Sequence, residues 1–75
     1  MELNMETKIA ILEQEIQQWE GIKYQATIRI QVGKSAGLGE QYMNEQMAVA
    51  ERAVKMIDGL KQIIDDLKGG MRDAH

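Results

Sequence analysis

Apolar residues recur along the chain at alternating intervals of four and three residues. The first series covers residues 5–30 and the second covers residues 43–68, with Lys23, Lys61 and Lys68 taking three of the places. Each series has the heptad spacing of a helix with one buried stripe. A glycine-rich stretch separates them, and Gly33 is placed to be the left-handed residue that ends a helix. The pattern predicts helix 1 over about residues 4–32, a link over 33–39, helix 2 over about 40–68 and a frayed tail over 69–75.

The two series mirror each other when the chain is folded back on itself. Facing positions in an antiparallel hairpin have residue numbers that add to a constant, and the two series obey this rule along their whole length. A short link favours antiparallel neighbours. The sequence therefore predicts an all-α fold, a hairpin of two long helices in a single domain over residues 1–75. Three of the predicted facing pairs are Ile9 with Ile64, Ile16 with Ile57, and Ile30 with Met43.

One segment also fits a strand. Between Tyr24 and Val32, apolar and polar residues alternate, and several of the apolar ones are β-branched. No other segment of the chain alternates in this way, so a strand here would have to pair with the same strand of a second copy. We favour the helix and keep an intermolecular strand over residues 24–32 as the alternative.

Helix 2 carries a second apolar row beside the one that the hairpin would use. Leaving that row in water would forfeit on the order of 1.5–3 kcal/mol for each large side chain. A chain this short supports only a small core, and it has no cysteine with which to form a disulfide, so oligomerisation is the remaining means of stabilisation. We expect a homo-oligomer, with a dimer favoured, that forms a coiled-coil-like helical bundle. The predicted interface row is Val49, Ala53, Met56, Leu60, Ile63 and Leu67.

Composition narrows the possible functions. The chain has a net charge of −3, which argues against a general nucleic-acid binder, because phosphate neutralisation dominates that affinity. It has no cysteine and one histidine, so a zinc site is not expected. The acidic start does not resemble a signal peptide, and no apolar run has the length of a membrane span. These features predict a cytoplasmic protein without a metal or another cofactor.

The glycine-rich link suggests an anion site. Gly33-Lys34-Ser35 resembles the end of a phosphate-binding P-loop, but Ile28 stands where that motif requires its first glycine. A weaker hypothesis is that backbone N–H groups at the start of helix 2, together with nearby bases, hold a phosphate or nucleotide. The alternative is a plain turn with bases complementing a helix C-terminus. The candidate anion-binding residues are Arg29, Gly33, Lys34, Gly37, Gly39 and Tyr42.

No catalytic arrangement is evident. His75 is the last residue, Asp65 and Asp66 point to adjacent helix faces, and Ser35 has no base nearby in sequence. We therefore predict that the protein is not an enzyme and that it regulates or inhibits a partner, such as a host or regulatory protein, by binding it. Phage and mobile-element accessory proteins are one class that fits. A ligand-sequestering oligomer and an adaptor that stays monomeric until it meets its target are the alternatives.

Overall fold

The protein is an antiparallel hairpin of two long helices, as the sequence predicts. In the computed structural model, which describes residues 3–72 and their side chains as far as Gly69, helix α1 covers Met5–Ala36 and helix α2 covers Glu40–Arg72. The two helices pack along their length in a rod of 58 × 20 × 17 Å. The link, which is residues 37–39 in the structure, therefore lies at one end of the rod, and Met5 and Arg72 lie at the other, which we call the open end.

Helix α1 is capped at both ends by backbone and side-chain hydrogen bonds. The Asn4 side chain accepts a hydrogen bond of 2.7 Å from the Thr7 N–H, which satisfies one of the free donors of the first turn. At the other end, Gly37 has a φ of 70°, and the N–H groups of Gly37 and Leu38 donate to the carbonyls of Lys34 and Gly33. This is a Schellman ending, which requires a left-handed residue. The prediction that Gly33 ends helix 1 is wrong because Gly37 takes that role.

Helix α2 is also longer than predicted. It begins at Glu40, as expected, but it continues through Gly69 and Gly70 to Arg72 instead of ending at the glycine pair. Glycine weakens a helix by only about 1 kcal/mol per residue, so a glycine pair near a helix end does not by itself stop the helix. The predicted tail is therefore partly helical. His75 and the two residues before it lie outside the residues that the structure describes.

Residues 24–32 are helical, so the intermolecular strand is not formed in the hairpin. Ala26 and Ile30 point toward α2, whereas Tyr24, Ile28 and Val32 are exposed. Thr27 is accommodated because its hydroxyl donates a 3.0 Å hydrogen bond to the carbonyl of Lys23. The alternation of apolar residues thus splits into one buried face and one exposed face once the segment is wound as a helix.

The register of the hairpin differs from the predicted one by three residues. Gly33 lies against Met43 and Tyr42, whereas the sequence pattern placed Ile30 opposite Met43. The shift follows from the longer α1, because the turn is centred on Leu38 and not near the middle of the predicted link. It moves Ala53 into the contact between the helices and leaves Met47, Val54, Lys61 and Lys68 exposed. The most buried apolar residues are Ala26, Ala53, Ile57 and Ile64.

A polar residue lies in the contact between the helices. Gln46 is half-buried, and its Oε1 atom is buried without a hydrogen-bond partner. A polar group in a helical seam costs stability but can select one register. Lys23 and Lys61, which the sequence pattern placed on the seam, are exposed instead. Gln46 is therefore the polar seam residue of this hairpin.

Two glycines are expected to respond in opposite directions to the same substitution. Gly21 lies in the middle of α1, with no atom within 4 Å of the point that a Cβ atom would occupy, so Gly21→Ala should raise the free energy of unfolding by about 0.5–1 kcal/mol. A Cβ atom at Gly37 would also have open space, but this residue has a positive φ. Gly37→Ala should therefore lower the free energy of unfolding by about 1 kcal/mol. Urea denaturation followed by circular dichroism measures both. Equal effects of the same sign would contradict the left-handed ending at Gly37.

Candidate interaction surface

One side of the hairpin carries an apolar row along α2, together with apolar residues of α1 that lie among polar and charged ones. Near the open end, a shallow groove of about 320 Å³ runs between the helices, lined almost entirely by apolar atoms of Ile11, Leu12, Ile63 and Leu67, with Leu3 and Lys8 at its edge. Residues seven apart lie on the same face of a packed helix, so the row of Ile63 continues toward the link. We call this surface the lateral apolar face. Its residues are Leu3, Ile11, Ile22, Val32, Val49, Met56, Leu60, Ile63 and Leu67.

Several large side chains of the lateral apolar face are exposed. Ile11, Met56 and Ile63 are 46%, 42% and 47% exposed, although each is a large apolar side chain. An apolar surface that runs along a helix in this way is typical of a binding site. Two helices form a single layer, and no described residue lies over this side of it. The hairpin alone therefore leaves the face in contact with water.

The structure divides the predicted interface row between two positions. Ala53 is fully buried between α1 and α2, so it packs against the other helix of the same hairpin and is not on the lateral apolar face. Leu60, Leu67 and Val49 are half-buried at the edge of that contact, and Met56 and Ile63 are the outward members. The face also includes residues of α1, and Leu3, two residues before that helix. Ile11 and Ile22 could be read from the sequence as the flank of helix 1, but Leu3 and Val32 were missed.

The opposite side of the hairpin is largely charged. A surface depression there is lined by Glu13, Gln17 and Glu20 of α1 and by Lys61 and Lys68 of α2, above Ile16 and Ile64. Two apolar residues, Met47 and Val54, are exposed on this side nearer the link. The hairpin is therefore two-sided, with the lateral apolar face on one side and, on the other, a charged surface together with a shorter apolar depression around Ala50 and Val54.

The predicted anion-binding residues lie around the link, where several have a structural role. The N–H groups of Gly37 and Leu38 are already engaged in the ending of α1, and the Gly39 carbonyl accepts a hydrogen bond from the Met43 N–H. Gly33 is buried against the Tyr42 ring, while Arg29 and Lys34 are exposed. Glu40 lies in the first turn of α2, where a carboxylate already complements the helix dipole. Anion binding here stays a hypothesis, and the structure adds no contact in its favour.

The described residues hold neither a cluster of metal ligands nor a membrane span. Among residues 3–72, no three side chains of the histidine, cysteine, aspartate and glutamate types come together as metal ligands would. Neither helix, as far as it is described, has a stretch long and apolar enough to cross a bilayer.

Comparison of the chain with models of protein families, with curated proteins and with solved structures gave no match. Its function therefore has to be argued from the lateral apolar face itself.

Proposed function

We propose that the protein is a self-associating interaction module, in which the lateral apolar face of one hairpin packs against the same face of a second copy. The observation that carries the proposal is the exposure of Met56 and Ile63 beside Ile11 on one side of a single-layer hairpin. Each of these side chains is a little less than half exposed, so covering the exposed part contributes on the order of 1 kcal/mol. Two hairpins stacked on this side would form a four-helix bundle with a shared core.

A second copy of the chain is the partner that fits the lateral apolar face best, because every copy carries the same face. Its groove is shallow and the surface extends across both helices, so its width matches the two-helix face of a second hairpin. Two-fold symmetric dimers place the same surface patch on both subunits. A small helical chain without disulfides gains the core that it lacks in this way.

We further propose that the dimer acts by binding, and thereby regulating or inhibiting, another protein in the cytoplasm. After dimerisation, the charged side with Glu13, Glu20 and Lys61 would remain available to that partner. Charged side chains at an interface give specificity and association rate more than affinity. This part of the proposal rests on the absence of a catalytic arrangement in the sequence and on the two-sided surface. Comparing pull-downs by the native dimer and by a variant in which the charges of the charged side are reversed would test it.

Solution mass against concentration tests self-association directly. Sedimentation equilibrium between about 1 µM and about 1 mM should show the mass rise from 8.5 kDa to twice that value. A mass of one chain up to the highest concentration would overturn the proposal, and it would favour an adaptor that associates only with its target.

A further inference from the structure

We infer that the two hairpins of the dimer lie parallel, with both links at the same end, so that α1 of one copy packs against α2 of the other. This inference rests on the proposed function and specifies the partner's orientation. Two-fold symmetry allows two face-to-face arrangements. Either the links lie together and α1 faces the partner's α2, or they lie at opposite ends and each helix faces its own copy. The charges along the lateral apolar face distinguish them.

The height of each residue along the rod follows from two contacts. Gly33 lies against Met43, and Lys8 lines the open-end groove together with Leu67. At 1.5 Å per residue, Arg29 is therefore within about 3 Å of the height of Glu45, and Lys8 is within about 3 Å of the height of Asp66. Both bases are on the α1 flank of the lateral apolar face, in the row of Ile22, and both acids are on its α2 flank.

In the parallel arrangement, residues of equal height on α1 and on the second copy's α2 face each other. One register then pairs Lys8 with Asp66 and Arg29 with Glu45, and it brings Ile11 onto Ile63. Glu15 meets Gly59, which carries no charge, and Arg52, in the same row as Glu45 and Asp66, meets Ile22. Asp66 accepts a hydrogen bond from Gln62, and it lies exposed with a second carboxylate oxygen that can take a lysine. This register therefore forms two opposite-charge pairs and one apolar pair on each side of the dimer axis, and it places no like charges together.

The opposite arrangement gives no such match. If α2 faced α2 of the second copy with Met56 at the centre, Glu45 of one chain would lie beside Asp66 of the other, twice in each dimer. Like charges placed together across an interface are unfavourable. The apolar open-end groove would also face the other copy's link end, where Arg29 and Gln25 flank the face. Charge complementarity therefore favours the parallel dimer.

Spin labels on α1 measure the orientation. The chain has no cysteine, and Ser35→Cys and Thr7→Cys each introduce one exposed site on the same outer face of α1, near the link and near the open end. Packed helices lie 8–10 Å apart, so the parallel dimer should give a label-to-label distance of about 25–35 Å at both sites. Double electron–electron resonance at a concentration above the dissociation constant provides these distances.

The alternatives give different pairs of distances. A fully overlapped antiparallel dimer places both pairs of labels about 40 Å or more apart, because each pair lies at opposite ends of the rod. A dimer overlapping only at the open ends gives a short Thr7→Cys distance and a long Ser35→Cys distance. Either result would overturn the parallel arrangement while leaving self-association intact. A dipolar signal absent at both sites would mean that no dimer forms, and then the proposed function fails as well.

Charge reversal provides a second, independent readout. Glu45→Lys should weaken dimerisation by about tenfold, and adding Arg29→Glu to the same chain should restore the dissociation constant to within about twofold. Glu40→Lys, an exposed change at the link end outside the predicted charge pairs, is the matched control and should leave the constant unchanged. Failure of the second substitution to restore binding would show that the two residues do not face each other across the dimer.

Discussion

Replacing Met56 and Ile63 together by glutamate should convert the dimer into folded monomers. Both side chains are outward members of the lateral apolar face and are 42% and 47% exposed, so glutamate can reach water in the hairpin alone and the substitutions should leave it helical. The two-fold dimer would cover the exposed part of both side chains on both subunits, worth on the order of 1 kcal/mol for each of the four. Since 1.4 kcal/mol corresponds to a tenfold change, the dissociation constant should rise by at least about 100-fold. Sedimentation equilibrium measures the mass, and far-ultraviolet circular dichroism checks the fold.

The other side of the hairpin offers a matched control. Met47 and Val54 are also on α2 and are 51% and 40% exposed, so Met47→Glu with Val54→Glu changes charge and apolar area by a similar amount. This pair should leave the mass of the dimer unchanged. If the control pair dissociates the dimer and the Met56 and Ile63 pair does not, the interface is on the charged side and the proposed surface is wrong.

The two helices could be predicted because the relevant signals are local. Apolar spacing and the absence of proline in the chain define both long helices, and Glu40 was correctly placed as the start of α2. The end of α1 was misplaced because several glycines lie close together and each could have adopted a positive φ. Only Gly37 does so. Gly33 instead stays helical, where the absence of a side chain lets Tyr42 and Met43 approach.

The register was not predictable with the same accuracy because it depends on the turn. Shifting the pairing of α1 with α2 by three residues moves it by close to one helical turn, so each helix still turns an apolar side toward the other. The shift brings one apolar row of α2 into contact with α1 in place of the neighbouring row. Two apolar rows on α2 made both registers acceptable in the sequence. The packed structure selects the one in which small Ala53 lies between the helices and larger Val54 stays outside.

The candidate surface was predicted in part for the same reason. The surplus of apolar residues on α2 was readable from the sequence, and Met56 and Ile63 are indeed exposed on one side. Which member of the row turns inward depends on the register, so Ala53 was assigned to the wrong contact. Leu3 was missed because it precedes α1 and belongs to no heptad row of that helix.

Gly33→Val should destabilise the hairpin more than any other glycine substitution in α1. A Cβ atom at Gly33 would lie 2.8 Å from the Met43 Sδ atom and 3.1 Å from Tyr42 Cε1. The methionine side chain can swing away, but the tyrosine ring is stiffer, and valine adds two further carbons beyond Cβ. Overpacking of this kind costs about 1–3 kcal/mol. For a domain of this size, we expect the melting temperature to fall by about 4–8 °C per kcal/mol.

Gly21→Val separates crowding from helix propensity. It makes the same substitution in the same helix, but at a position where no atom lies within 4 Å of the added Cβ atom. Both variants gain the same small amount of helix propensity. The difference between their free energies of unfolding therefore reports the contact of α1 with Tyr42 and Met43. Both should be measured in the Met56→Glu, Ile63→Glu background, where unfolding is expected not to depend on protein concentration. Equal stabilities would mean that the helices are not closely packed at Gly33, and the three-residue change of register would then be wrong.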